Sequence, residues 1–356
     1  MQNSRSTFAL ILSAFFLIPA TILGTGAGCS TFTPRPLPDC QTAIGVPGPE
    51  DFVLDPTTGR GRRPRLLISS QDRRQKDPNG EMLMPGKIFA MDIDGAGAMN
   101  PRELSFKGRD DYPFHPHGMD LVQAPTGLLL YVVNHALTDT HCIEIFRVEK
   151  DELVFVNRLQ SSLLIHPNDL AALPDGQIYI SNDRTGKGLL ANLCDLFAFG
   201  CGSVTHFSPA ENIWRIVAED ISFANGVEVK DDRLYVAATR GEGIHVYQRD
   251  PIGGWISGQV DFWEVGSGVD NLMWENETTL NVAAHPDIFA FLDHASDKDE
   301  LAPGDVYRID ITTGQATQIY ADDGSQMSAP ATALVYNNRM YISGVFEPEI
   351  VSCAAP

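Results

Sequence analysis

A turn followed by a short apolar strand recurs six times along this chain, and this repeat constrains the fold more than any other feature. The copies span 58–69, 125–133, 174–182, 230–237, 276–283 and 336–343, and include LPDGQIYIS, KDDRLYVA and YNNRMYIS. Spacings of roughly 45–60 residues suit one four-stranded blade per copy. The sequence therefore predicts an all-β protein, a six-bladed β-propeller whose central tunnel brings together residues that are distant in sequence.

The chain length is compatible with a single folded domain. A closed propeller uses 356 residues as one unit, and the hydrophobic content of 43% is enough for a buried core. We expect a signal peptide or a retained hydrophobic anchor at 1–28, a proline-rich linker at 29–38 and the propeller at 39–356.

The N-terminal segment has the layout of an export signal. Arg5 precedes the uncharged stretch Phe8–Leu23, and the small residues Gly24–Gly28 follow. Uncharged residues extend from Ser6 to Thr31, so membrane association through a retained anchor is an alternative interpretation, and Cys29 leaves lipidation open. The protein is predicted to be exported, whether it is secreted, periplasmic or anchored.

The charge balance excludes one class of partner. The formal net charge is −20, with 46 acidic and 26 basic residues. Sequence-independent binding to nucleic acid requires basic surfaces, so nucleic acid is not an expected partner. An acidic surface favours solubility and attracts cations.

Export would permit disulfides, and the six cysteines are placed accordingly. Cys40 lies before the first strand signals and Cys353 lies near the end, so a bridge between them would lock the ring where the two ends of a propeller meet. Cys194 and Cys201 are close enough in sequence to staple a local loop. Cys142 is predicted to be a buried free thiol.

Acidic and amide residues occur in or beside several of the short apolar strands, where they are costly unless satisfied. Each of them on its own is explained by capping of a turn. Together, on the innermost strands of different blades, they can converge in the tunnel and supply the oxygen ligands that calcium prefers, whereas zinc prefers Cys and His. The segments are Glu50-Asp51, Asn168-Asp169, Asn225-Gly226 and Asp270-Asn271.

Histidines accompany these oxygen donors. His117 lies in FHPHG and His135 ends the strand YVVNH; we expect them on neighbouring blades. Such a pair can pass a proton at neutral pH, although a hydrogen-bonded structural histidine is the alternative for each. His166 and His285 are candidates for the pocket wall.

Two arginine-rich loops flank the first repeated strand. They read RGRRPR at 60–65 and QDRRQK at 71–76. A lid or an anion-attracting rim is one interpretation, and a solvated loop is the other.

Nine short motifs resemble those of the paraoxonase/arylesterase family of calcium-dependent lactonases. They occur in the family order and span about 40 to 353: PEDFVL at 49–54, PGKIFAMD at 85–92, PHGM at 116–119, LYVVNH at 130–135, PNDLAAL at 167–173, FANG at 223–226, VDNL at 269–272, AAHP at 283–286 and GVF at 344–346.

The resemblance implies two calcium ions in the tunnel. It assigns the catalytic ion to Glu50, Asn168, Asn225, Asp270 and Asn271. The structural ion would be held by Asp51, Asp169 and backbone carbonyls near Phe52 and Met119. His117 matches the general base of the family, His135 its partner, and Cys40 and Cys353 its end-closing disulfide.

The function implied is hydrolysis of small-molecule lactones and aryl esters by a carboxylic ester hydrolase. Calcium would stabilise the oxyanion while the histidine pair activates water, and Phe223, Val345 and Phe346 would form an apolar wall. Asp270 as nucleophile or base is a rival assignment. The alternative functions are a gluconolactonase-type sugar-lactone hydrolase and a non-enzymatic propeller that calcium stabilises.

Overall fold

Six sheets make up the part of the chain described by the computed structural model, which comprises residues 32–57, 63–78, 80–93, 99–137, 140–184, 186 and 199–356. Their strands pair antiparallel, except for one parallel pair at the edge of the second sheet. Strand β1 (Gln41–Ile44) belongs to the sixth blade. The first blade contains β2 (Asp51–Asp55), β3 (Arg65–Ser70), β4 (Lys87–Asp92) and β5 (Pro101–Glu103). The second contains β6 (Ser105–Lys107), β7 (Pro116–Ala124), β8 (Gly127–Leu137), β9 (Thr140–Val148) and β10 (Glu152–Leu159).

The remaining blades each have four strands. The third contains β11 (Pro167–Ala172), β12 (Ile178–Asn182), β13 (Gly202–Ser208) and β14 (Ile213–Ile221). The fourth contains β15 (Ala224–Lys230), β16 (Arg233–Ala238), β17 (Gly243–Arg249) and β18 (Ile256–Glu264). The fifth contains β19 (Gly268–Asn276), β20 (Thr279–His285), β21 (Gly304–Asp310) and β22 (Gln315–Asp322). The sixth contains β23 (Pro330–Tyr336), β24 (Arg339–Gly344), β25 (Glu349–Ala354) and β1.

The ring closes in the sixth blade, where the two ends of the propeller meet. Strand β1 pairs antiparallel with β25, with Gln41 opposite Ser352. A disulfide joins Cys40 to Cys353 beside this pairing. The predicted all-β, six-bladed fold and its end-closing disulfide are confirmed. The residues just before β1 also pack on the ring, since the Arg35 amide donates to the Ala321 carbonyl and Leu37 is buried.

The repeated sequence signature is the hairpin between the first two strands of each blade. Its Gly, Asn and Asp residues supply left-handed backbone at the bend: φ is 86° at Gly176, 52° at Asp231, and 50° and 61° at Asn337 and Asn338. The strand after each bend is the most apolar because it lies between neighbouring blades. Burial of each large apolar side chain there stabilises the fold by about 1.5–3 kcal/mol.

The structure tests some of the predictions for the remaining cysteines and the N-terminal segment. Cys142 is a buried free thiol, as predicted. Cys201 is disulfide-bonded, while its predicted partner Cys194 lies outside the described residues. The predicted signal segment also lies outside them. No helix within the described ranges is long and apolar enough to cross a membrane.

Candidate metal centre and active site

The innermost strand of each blade lines the tunnel, and successive residues of these strands line two different cavities. The first residues of the inner strands line a cavity of about 620 Å³; these include Glu50, Asn168, Asn225 and Asp270. Later residues of the same strands line a second cavity of about 430 Å³; these include Asp51, Met119 and Asp169. The proposed ligand sets for the two ions are thus separated along the tunnel.

The larger cavity contains buried oxygens that lack hydrogen-bond partners. These are Glu50 Oε2, Asn168 Oδ1 and Asn225 Oδ1, and Asn271 Oδ1 is a fourth such oxygen on the residue after the lining Asp270; each is on a side chain that is 5% exposed or less. Leaving a buried polar atom without a partner costs about 1–3 kcal/mol. A hard cation bound by all four would compensate that cost, because calcium accepts carboxylate and amide oxygens in irregular arrangements.

The orientation of two of the amides favours the same ligand. Asn225 Nδ2 donates to Thr239 Oγ1 at 3.1 Å, and Asn271 Nδ2 donates to Thr332 Oγ1 at 3.0 Å and to Glu50 Oε1 at 3.0 Å. Because the nitrogens face protein acceptors, the amide oxygens remain available. Within the described residues, His, Cys, Asp and Glu alone form no group of three or more suited to a metal, so these amides are needed to complete the site.

The carboxylates of the second cavity have backbone partners. Asp51 Oδ2 accepts from the Met119 amide at 2.7 Å, and Asp51 Oδ1 accepts from the Phe52 amide at 2.7 Å. Asp169 Oδ2 accepts from the Val227 amide at 2.9 Å. A Cβ on Gly118 would lie 2.4 Å from Asp169 Oδ1, so only glycine fits there.

Burial raises the pKa of Asp51 and of Asp169 well above the usual range, and for Asp51 the charge of Asp169 adds to the effect. Two carboxylates that are removed from water side by side repel each other. A cation between them would relieve the repulsion, and the residues therefore fit a second ion.

Three histidines form a hydrogen-bonded chain at the wall of the larger cavity. His117 Nδ1 lies 2.9 Å from His135 Nε2, and His135 Nδ1 lies 2.9 Å from His141 Nδ1. His117 Nε2 is on the cavity side, 3.5 Å from Glu50 Oε1. Burial, followed by the adjacent rings of His117 and His141, lowers the pKa of His135 well below its usual value, which keeps this central ring neutral.

The expectation that His117 and His135 lie on neighbouring blades is wrong. His117 is on β7 and His135 is on β8, and these strands pair within the second blade, with Pro116 opposite Asn134. The two histidines approach each other because a hairpin folds one strand back on the other.

The two further histidines also line the larger cavity, each against a carboxylate. His285 Nε2 lies 2.9 Å from Asp270 Oδ2, and His166 Nδ1 lies 2.8 Å from Asp183 Oδ2. The His166 ring is 5.7 Å from that of His135. The acid of each pair orients the imidazole beside it.

An apolar wall faces these polar groups. It contains Phe223, Val345 and Phe346, together with Phe291 of the helix Ile288–Ser296, which we call the rim helix. The Phe291 and Phe346 rings are 5.6 Å apart. Phe223 has a φ of 61°, a conformation rare for a bulky residue and often associated with functional sites.

Some site residues were not predicted from the sequence. Thr332 Oγ1 lies 2.9 Å from the Glu50 carbonyl oxygen and 3.1 Å from Asp51 Oδ1, and so links the two ligand sets. His141 and Arg73 line the larger cavity. The only local signal for Thr332 is a lone hydroxyl within the otherwise apolar strand β23.

The sequence is similar to an arylesterase family model and to paraoxonases. The family model described as Arylesterase matches residues 81–353. Human serum paraoxonase/lactonase 3 is 29% identical over 294 residues, which cover 79% of this chain and 80% of that protein. Human serum paraoxonase/arylesterase 1 is 28% identical over 329 residues, which cover 88% of each.

Among solved structures, the calcium-binding protein regucalcin from Agrobacterium tumefaciens is similar, with a TM-score of 0.53 and 14% identity. The match covers 91% of this chain and 94% of that one. At this identity the similarity shows a shared fold only.

Proposed function

Because the chain belongs to the arylesterase family, we propose that it hydrolyses lactones and aryl esters with calcium as its cofactor. The observation that carries this proposal is the group of four buried oxygens without a hydrogen-bond partner, on residues close to the His117–His135–His141 chain. Such a site would hold a cation close to a proton acceptor in one cavity. The names of the serum relatives and the ring-closing disulfide favour an exported protein.

We assign two calcium ions to the tunnel. The catalytic ion would be held by Glu50, Asn168, Asn225, Asp270 and Asn271. The structural ion would be held by Asp51 and Asp169, with backbone carbonyls near Phe52 and Met119. When bound, the catalytic ion supplies positive charge that stabilises an oxyanion by several kcal/mol.

The hydrogen bonds between the histidines fit two sets of neutral tautomers, and we assign the set that leaves His117 able to act as a base. His117 Nδ1–H donates to His135 Nε2, and His135 Nδ1–H donates to His141 Nδ1. His117 Nε2 then presents a lone pair to the cavity, where it can take a proton from water. The opposite direction of donation would place a hydrogen on His117 Nε2 and remove the base.

The reaction follows from that arrangement. The water oxygen bonds to the carbonyl carbon as His117 Nε2 takes its proton, the bond from that carbon to the ring or alcohol oxygen breaks, and the leaving oxygen takes a proton from His117. The carboxylic acid product loses one proton at neutral pH. The chain from His117 through His135 to His141 carries that proton towards solvent.

The apolar wall favours alkyl or aryl substrates over sugars. Phe223, Phe291 and Phe346 offer ring surfaces to an acyl chain, whereas a gluconolactonase-type pocket would need donors and acceptors for several hydroxyls. Asp270 is the rival base. Its hydrogen bond with His285 makes it a ligand oriented by an imidazole in our assignment.

The test is a panel of lactones with different alkyl chains plus an aryl ester, assayed with and without a chelator. We expect turnover that rises with chain length and is lost on removal of calcium. A protein that binds calcium and melts at a higher temperature with it, yet hydrolyses no substrate of the panel, is a binding propeller and would contradict the proposal.

His117→Gln tests the base separately. The variant should lose about 10²-fold or more in kcat, the scale of general-base catalysis, with unchanged calcium affinity by titration. His245→Gln is the control, since His245 bonds to Gln259 on the exposed face of the fourth blade. Unchanged lactone turnover in His117→Gln would exclude His117 as the base.

A further inference from the structure

We propose that Arg73 and Lys76 form an anion-binding subsite in the larger cavity, and that preferred substrates carry a carboxylate or similar anionic group on their acyl part. This inference rests on the proposed lactone hydrolysis and names a substrate class for it. It concerns the segment between β3 and β4, whose arginine-rich loop has no role in the chemistry described above.

Arg73 is anchored so that its guanidinium remains in the cavity wall. Arg73 Nη1 donates to the Gly48 carbonyl at 3.0 Å and lies 3.3 Å from the Gln71 carbonyl oxygen. Nη2 lies 3.7 Å from Glu50 Oε2, and the side chain is 12% exposed. A guanidinium held by backbone acceptors is a preorganised partner for a carboxylate, because less side-chain entropy is lost on binding.

Lys76 brings a second positive charge to the same cavity. Burial lowers the pKa of Lys76, and the positive charge of Arg73 lowers it further, so the two cations oppose each other. The aspartates nearest to Lys76 in sequence accept other hydrogen bonds: Asp72 from the Arg74 amide and Gln75 Nε2, and Asp77 from the Glu81 amide. Arg73 is largely buried and Lys76 is exposed, and an anion bound by both side chains would relieve the repulsion between the two cations.

The carboxylates around the cavity have other roles. Glu50 and Asp270 belong to the proposed calcium ligands. Asp183 is paired with Arg184 at 2.9 Å and with His166. Glu81, five residues after Lys76, also lines the cavity. Calcium at Glu50 would withdraw that carboxylate from Arg73, which leaves the guanidinium for the substrate.

The cationic segment and the apolar wall together define the ligand. Arg73 and Lys76 lie on the segment between β3 and β4, whereas Phe291 and Phe346 belong to the rim helix and the residues after β24. A lactone with both an apolar part and an anionic group would use both surfaces.

The experiment compares two γ-lactones that differ in one group: a ring carboxylate and its neutral carboxamide. Steady-state kcat and KM are measured for wild type, Arg73→Gln, Lys76→Gln and Arg147→Gln. Arg147 is the control for loss of one charge, since it pairs with Glu149 at the exposed surface of the second blade.

We expect wild type and Arg147→Gln to favour the carboxylate in kcat/KM by about tenfold, the scale of one charge-assisted hydrogen bond. Lys76→Gln should lose most of that preference through a higher KM for the carboxylate lactone, with a smaller change for the carboxamide. Added salt should reduce the preference of wild type. Arg73→Gln should show the larger loss on the carboxylate.

The inference is overturned if wild type hydrolyses the two lactones equally, or if Lys76→Gln loses the same factor on both. The Lys76 variant keeps the test decisive if Arg73→Gln does not fold. Failure of the underlying function has a different signature, because then neither lactone is hydrolysed by wild type under any condition.

Discussion

The two cavities of the tunnel are lined by the same inner strands but hold their polar groups differently. At the larger cavity, Glu50, Asn168, Asn225 and the neighbouring Asn271 each keep a buried oxygen without a hydrogen-bond partner. In the second cavity, Asp51 and Asp169 accept hydrogen bonds from backbone amides. The comparison teaches that unsatisfied oxygens mark the place where a ligand completes the structure. Carboxylates that the backbone satisfies mark the place where an ion would mainly join the blades.

Glu50→Gln should show the largest effect on activity, because it removes a negative charge from the proposed ligands of the catalytic ion. We expect kcat/KM to fall by about 10²–10³-fold, the scale of losing a preorganised oxyanion stabiliser, together with weaker calcium binding by titration. Glu275→Gln is the control, since it breaks an ion pair with Arg308 away from both cavities. Unaltered calcium dependence in Glu50→Gln would end its assignment as a ligand.

Asp169→Asn removes one of the two carboxylates proposed to hold the structural ion. We expect it to lower stability more than catalysis, the reverse of Glu50→Gln. The change weakens a charge-assisted hydrogen bond from Val227 and the proposed structural ion, so we expect a loss of about 1.5–3 kcal/mol in stability. Thermal melting with and without calcium measures this loss of stability. At temperatures where the variant stays folded, kcat should change little.

Asp120→Asn is the matched control for that variant. Asp120 lines the same cavity and accepts from the amides of Ala172 and Leu121, but it is not a proposed ligand. It should lower stability equally with and without calcium. If Asp169→Asn behaves in the same way, the second cavity holds no ion.

His141→Gln sharpens the role of the histidine chain. Loss of the outer ring should lower kcat by about tenfold or less, because the proton must then leave by another route. Added imidazole buffer should restore turnover, whereas a purely structural defect would not respond to buffer. The measurement is kcat against imidazole concentration at constant pH.

His206→Gln should have the smallest effect and separates global acid unfolding from events in the cavities. Burial, followed by the charges of Arg215 and Arg249, lowers the pKa of His206 to about 4. The unfolded chain therefore binds more protons between about pH 6.5 and 4, and stability falls as the pH falls through that window.

The variant lacks this proton uptake on unfolding. We expect its melting temperature to fall by about 2–4 °C less than that of wild type between pH 7 and 5. Equal acid sensitivity of the two proteins would show that other groups dominate acid unfolding.

Much of the site was accessible from the sequence because its polar residues interrupt apolar strands. Glu50, Asn168 and Asp270 stand out for that reason, and each lies just before an inner strand or within its first three residues. Thr332 and His141 gave no comparable signal. A single hydroxyl or imidazole in a strand is common, and its role depends on which side chain it contacts in the folded protein.

The sequence by itself determined the blade count and the closure of the ring. Both depend on local information: alternating apolar residues, bends that need left-handed backbone, and cysteines at the two ends. Only the tertiary structure decided that His117 and His135 share one blade, that Thr332 links the two ligand sets and that Arg73 faces Glu50. Those contacts depend on strand register and on packing between blades, which residues distant in the chain establish together.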